Sequence, residues 1–178
     1  MTSNPRRLVI AVAVALSFCA ACRAEPISGE TSKSLCFALA AERSAVPESL
    51  LRAVAKVESN FRPDAIHHDA DGTYDVGVMQ INSSHFPELE SRYRITEQIL
   101  LERPCVNIAV GAKILGAFLR QYGGTWRGIG SYGAGTAAPK ERARQGYATL
   151  VAHAFSRRWH VNQVAVATQA QHRMVVIE

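Results

Sequence analysis

Between Pro104 and the pair Gly123-Gly124, the apolar residues Cys105, Ile108, Ala109, Ala112, Leu115, Leu119 and Tyr122 recur at helical spacing. Proline is tolerated in the first turn of a helix and glycine stops one, so the segment predicts a single long helix bounded at both ends. Gly111, Ala112 and Gly116 leave little side chain on parts of it, which permits other helices to approach closely. A helix with so broad an apolar face has to be packed around. The chain is therefore expected to be mainly α, with this segment as its central core helix.

The remaining elements are read against it. Thr31 or Ser32 is expected to cap a first helix reaching about Ala45, with Cys36, Leu39 and Ala40 on its inner face. Pro47 suits the first turn of a second helix running to about Asn60, on which Leu50, Val54 and Glu58 follow at steps of four, with Leu51 and Val57 alongside. A carboxylate thus shares the buried stripe. Residues 61–76 carry Pro63, Asp69, Asp71, Gly72 and Asp75 and predict a loop or a small β-hairpin. A short helix is expected near 97–102, and a last one from Pro139 to about Phe155. Residues 159–178 alternate weakly and read as a loosely attached tail. The expected organisation is a signal over 1–24, one domain over 25–155 and a basic tail over 156–178.

The N-terminus supplies the expected address. Arg6 and Arg7 precede an apolar run from Leu8 to Phe18, too short to span a bilayer comfortably, and Cys22 and Ala24 provide the small side chains of a cleavage site after Ala24. Export to the periplasm follows; an uncleaved anchor and lipid attachment at Cys22 are the alternatives. Removing that segment takes away Arg6, Arg7 and Arg23, so the net charge falls from +5 to +2. What remains is uneven, with six basic against two acidic residues over 139–178. That basic end reads either as a solvated face or as a contact for anionic wall groups, phospholipid or a partner. Only Cys36 and Cys105 survive cleavage, which in an oxidising compartment suggests one disulfide, two separate buried thiols being the other reading.

Two carboxylates invite glycosidase chemistry. Glu58 opens Glu58-Ser59-Asn60-Phe61, and Asp75 opens Asp75-Val76-Gly77-Val78-Met79-Gln80-Ile81-Asn82. A general acid for a glycosidic oxygen must keep its proton near neutral pH, and an apolar face together with the negative end of its own helix dipole would raise Glu58 from the usual value of about 4.3. Glu58-Ser59-Asn60-Phe61, Gly77-Val78-Met79-Gln80-Ile81-Asn82 and Ser131-Tyr132-Gly133-Ala134-Gly135 resemble, in order, the three signature motifs of the family 1 (SLT-type) lytic transglycosylases. The segment from about Cys36 to Tyr132 looks most like the small specialised members that accompany type III and type IV secretion machines or conjugative pili.

The resemblance implies a lysozyme-like, mostly helical single domain and cleavage of the β-1,4 bond between N-acetylmuramic acid and N-acetylglucosamine, without a cofactor. It implies Glu58 as acid and then base, closing a 1,6-anhydro ring from the sugar's own 6-hydroxyl. Ser59 would support the acid, Met79 line the cleft wall, Gln80 hydrogen-bond sugar groups and Tyr132 place its hydroxyl near the reacting ring. One departure stands out: the family usually shows Ala-Tyr-Asn-Ala-Gly where this chain has Gly133. The stretch from Glu58 to Asn82 is also similar to chicken-type lysozymes, in which the carboxylate matching Asp75 is the nucleophile. Retaining glycosidases hold such a pair about 5–5.5 Å apart. Asp75 therefore reads as a stabiliser of an oxocarbenium-like intermediate, as a nucleophile in a muramidase, or as the cap of the turn before Gly77. A non-catalytic wall-binding assembly protein is the rival of a different class.

Other chemistries fail on spacing. His67-His68-Asp69-Ala70-Asp71-Gly72 superficially suggests a calcium loop, but the position of the bidentate Glu six residues after Gly72 is Val78. His67 and His68 are adjacent, not paired at i, i+4 as in a zinc protease, and are expected at the surface, so no metal is expected. Gly128-Ile129-Gly130 lacks the third glycine and preceding strand of a phosphate loop. Basic residues are not interleaved with aromatics, which argues against nucleic acid.

Overall fold

The computed structural model describes residues 29–156, with side chains from Ser34 onward; the expected signal and all but the first residue of the expected tail lie outside the described residues. Helices α1 (Gly29–Ser44), α2 (Glu48–Ser59), α3 (Phe86–Tyr93), α4 (Glu97–Glu102), α5 (Pro104–Gln121) and α6 (Trp126–Ala134) surround a sheet of β1 (Ile66–His68), β2 (Tyr74–Val76) and β3 (Ile81–Asn82). Residues 141–156 form a further helix, α7. The architecture is mostly helical with a small antiparallel sheet in the order β1-β2-β3, matching the expected class.

α5 is the central helix. It packs against α1, α4 and α6, and Ile108, Ala112 and Leu115 are buried as the periodicity requires. Its stripe is rotated slightly from the expectation: Ala109 and Cys105 face solvent, whereas Asn107 and Val110 turn inward. Gly116 faces the Ser44 carbonyl oxygen on α1, where a Cβ would stand 3.0 Å away. Small residues thus do let α1 come close.

α1 starts at Gly29, so Thr31 and Ser32 lie inside the helix and do not precede it. Its inner face is Cys36, Phe37 and Ala40; Leu39 is exposed, because Phe37 occupies the inward direction and stands edge-on to Phe61, their ring centroids 6.1 Å apart. The Arg52 guanidinium covers that ring at 4.6 Å and bonds Ser34 Oγ and Glu48. Cys36 and Cys105 are joined as a disulfide, with Cα atoms 5.1 Å apart, tying α1 to the first turn of α5.

Pro47 stands just before α2 as its N-cap residue, and its carbonyl accepts from Leu50 and Leu51. Leu50, Leu51 and Val54 are buried, and the helix stops where Asn60 adopts a left-handed conformation (φ 54°). The hairpin expected over 61–76 is present as β1 and β2, pairing Ile66 with Val76 and His67 with Asp75. β3 adds a third strand, setting Asn82 opposite Asp75. Asp69 and Asp71 hold the hairpin tip, where the Thr73 amide donates to Asp71 at 3.0 Å and the Thr73 hydroxyl lies between the two carboxylates.

Two helices were not expected. α3 follows a 3₁₀ turn (Ser83–His85) capped by Asn82. α6 holds three glycines in nine residues, Gly128, Gly130 and Gly133, a composition of poor intrinsic helix propensity. Each of the three lies against a neighbouring element: Gly128 against the Phe118 and Leu119 backbone of α5, Gly130 against Arg144 and Gly133 against Tyr147 on α7. Packing decides the helix there.

Candidate active site

Glu58 sits in the last turn of α2, and the structure fixes that turn from behind. The next residue, Ser59, is buried and donates its hydroxyl to the Val78 carbonyl at 2.8 Å, clamping the helix end to the Gly77–Gln80 turn. Beyond it, Asn60 N–H bonds Lys56 O and Phe61 N–H bonds Ala55 O, with both residues at positive φ, so the chain leaves the helix abruptly.

The turn itself is cut to shape by α5. Asn107 is fully buried; its Oδ1 accepts from Met79 N at 2.8 Å and its Nδ2 donates to Val76 O at 2.9 Å. Gly77 is at φ +79°, and a Cβ on it would stand 2.8 Å from the Asn107 side-chain carbon, so glycine is required on both counts. Gln80, at φ 48°, donates its amide to Gly77 O at 2.8 Å and Ala65 O at 3.1 Å. With its nitrogen spent on the backbone, Gln80 has its acceptor oxygen left to offer a sugar hydroxyl.

α6 closes the other side. Tyr132 donates its hydroxyl to the Met79 carbonyl at 2.7 Å. Gly111 on α5 makes room for this contact, since a Cβ there would lie 2.8 Å from Met79 Cγ and 2.9 Å from the Tyr132 hydroxyl. The Met79 side chain is fully buried beneath the cleft floor. That corrects its expected place on the wall: an unbranched apolar side chain fills the gap under Gly111, and only its backbone joins the site.

These elements enclose a cleft of about 630 Å³ lined by Glu58, Asp75, Gln80, Asn82, Tyr132 and Gly133, among others. Four of the expected site residues, Glu58, Asp75, Gln80 and Tyr132, therefore meet on one surface, while Ser59 and Met79 support it from within. Asp75 lies on β2, facing the cleft, and does not cap a turn. His67 and His68 are exposed on β1. Among the described residues, no group of three or more His, Cys, Asp or Glu is placed to hold a metal ion.

Burial raises the Glu58 carboxyl from 4.5 to about 7; the Tyr147 hydroxyl, which donates to Glu58 Oε1, pulls the other way, and the Asp75 charge adds to the rise. Burial also raises Asp75, partly offset by the Asn82 side chain beside it. The Tyr132 and Tyr147 hydroxyls are pushed well up, by burial first and then by the Glu58 charge. Two carboxyls in one cleft, the more buried keeping its proton near neutrality, are equipped for proton transfer to a leaving oxygen.

Sequence reading did not select Tyr147 or Asn107. The available signal for Tyr147 was its place four residues before Val151 and seven before Ala154, an apolar spacing that marks the inward stripe of α7. Asn107 offered less, a polar residue on an apolar helix face whose partners lie 28 and 31 residues away in the chain.

Residues 35–154 match the family described as the transglycosylase SLT domain. The Invasion protein IagB of Salmonella typhimurium is 38% identical over 125 residues, covering 70% of this chain and 78% of that protein. A peptidoglycan-binding-like protein of Escherichia coli O157:H7 is 36% identical over 132 residues, covering 71% and 79% respectively. Among solved structures, an inactive glutamate-to-glutamine mutant of the lytic transglycosylase Slt from Pseudomonas aeruginosa superposes with a TM-score of 0.56 at 21% identity, over 76% of this chain. This likeness shows a shared fold, and the chain spans 25% of the length of that larger protein.

Proposed function

From its membership of the transglycosylase SLT domain family, to which this chain belongs as a peptidoglycan lytic transglycosylase, we propose that it cleaves the β-1,4 bond between N-acetylmuramic acid and N-acetylglucosamine and releases a 1,6-anhydro end. The observation that carries this reading is Glu58, a carboxyl in a glycan-sized cleft whose burial holds it protonated up to about pH 7. Glu58 gives its proton to the leaving oxygen as the C1–O bond breaks. The resulting carboxylate then takes the proton of the muramic acid 6-hydroxyl as O6 bonds to C1. Atoms and charge balance without water, and Glu58 returns to its starting form. Tyr147 steadies the carboxylate between the two transfers. Asp75 supplies negative charge near the cationic ring as it develops.

Asp75 on the same cleft also favours a second reading, a muramidase in which that carboxylate attacks the sugar or directs water. Mass spectrometry of soluble fragments from digested sacculi separates the two: anhydro ends, lighter by one water than reducing ends, are expected, and their absence overturns the transglycosylase. Glu58→Gln is expected to abolish release. Undiminished release by that variant would overturn Glu58 as the acid, whereas no release by the parent protein itself would support a non-catalytic wall-binding protein.

Export into the periplasm by the segment 1–24 places the enzyme with its substrate; the Arg6-Arg7 and Leu8–Phe18 pattern supports it, and a mature N-terminus at Glu25 tests it. Local wall opening for a secretion machine or pilus is the associated role, supported by the resemblance to a relative named an invasion protein.

A further inference from the structure

α6 and α7 meet through a matched pair of contacts. Gly130 lies against Arg144 and Gly133 against Tyr147, the two glycines three residues apart on one helix and their partners three apart on the other. A Cβ on Gly130 would stand 2.8 Å from the Arg144 carbonyl carbon; one on Gly133 would stand 2.6 Å from Tyr147 Cγ and closer still to Cδ2 and Cε2. The Tyr147 ring therefore fills the space in which any other residue at 133 would carry its side chain. The hydroxyl at the far end of that ring donates to Glu58.

We infer that Gly133 is a positioning residue for the acid: its missing side chain is what lets Tyr147 lie across α6 and reach Glu58. The inference rests on the reading of Glu58 as the general acid.

Retreat of α7 as a whole is resisted. The Arg144 guanidinium is buried and donates to the carbonyls of Gly135 at 3.0 Å and Ala137 at 2.9 Å, and to Glu141, so the segment linking α6 to α7 is stapled at its start. A side chain at 133 must then turn the Tyr147 ring aside. That removes both the hydroxyl bond and the ring that shields the carboxyl. The titratable groups facing Glu58 are Asp75 on β2, Tyr132 on α6 and Tyr147 on α7, and the atoms that a Cβ at 133 would meet first belong to the Tyr147 ring.

Two substitutions separate the ring from its hydroxyl. Tyr147→Phe keeps the shielding ring and loses the donor, so Glu58 should hold its proton more tightly and the alkaline limb of kcat/KM on sacculi should move to higher pH. Gly133→Ala and Gly133→Asn displace the ring, admit water to the carboxyl and should move the same limb to lower pH, by about one unit, since burial is the larger influence. Limbs that stay at the parent value in folded Gly133 variants would overturn the inference. A thermal-melt cycle guards against misfolding: the loss of Tm caused by Gly133→Ala should largely vanish on a Tyr147→Ala background, where the space is empty. An undiminished loss there also overturns it. Failure of the acid assignment shows separately, as activity retained by Glu58→Gln, and leaves the melt cycle interpretable.

Discussion

Glu58 is held in a state that costs stability. Below about pH 4.5 the carboxyl is protonated in both the folded and unfolded chain and makes no difference to folding. Between 4.5 and about 7 the unfolded chain releases the proton while the folded one keeps it, so stability falls as pH rises; above about 7 the full penalty applies, on the order of 3 kcal/mol less whatever solvent contact relieves. Glu58→Gln removes the titration. Its Tm is expected to match the parent near pH 4, to exceed it increasingly up to about pH 7, and then to hold a constant advantage, as thermal melts across pH would record. Asn107 shows the opposite balance. Asn107→Ala would orphan the Met79 N–H and the Val76 carbonyl inside the protein, and a loss of about 2–4 kcal/mol is expected from denaturant titration, since each stranded buried group costs roughly 1–3 kcal/mol. Activity should fall with it, because the turn that carries Gln80 loses its anchor on α5.

The helices and strands do their work in pairs. α2 carries Glu58, but the Ser59 hydroxyl on Val78 O fixes where that helix ends relative to the Gly77–Gln80 turn. α6 carries Tyr132, but its position follows from Gly128 against α5 and Gly130 and Gly133 against α7. The α1–α5 pair is joined covalently by Cys36–Cys105, 69 residues apart in the chain. Reducing that bond should lower the unfolding free energy by roughly 4 kcal/mol in the chain-entropy description. Urea unfolding of the oxidised protein against a Cys36→Ala/Cys105→Ala variant checks the magnitude. Activity below the transition should change little, since neither cysteine lines the cleft.

At the scale of the whole molecule, one surface draws on α2, the sheet, α5 and α6, and on α7 through Tyr147. Sequence periodicity was enough for the parts governed by neighbours in the chain. α4 and α5 lie where the apolar spacing and Pro104 put them, and α2 where Pro47 and its stripe require. The hairpin follows from Gly72 and the aspartates around it. The motif residues Glu58, Asp75, Gln80 and Tyr132 were nameable for a like reason, since the runs that carry the family resemblance are each contiguous in the chain. What chain order alone does not reveal is contact between distant segments. α6 is a helix against its glycine content because three neighbours press on those glycines; Met79 is in the core because Gly111 leaves a hollow for it; Tyr147 reaches an acid 89 residues away because Gly133 has no side chain. Local spacing by itself set α2, α4 and α5 and put the Glu58 carboxyl on the buried stripe of α2. Only tertiary packing decided that acid's proton affinity, because affinity depends on how completely remote side chains exclude water from one carboxyl.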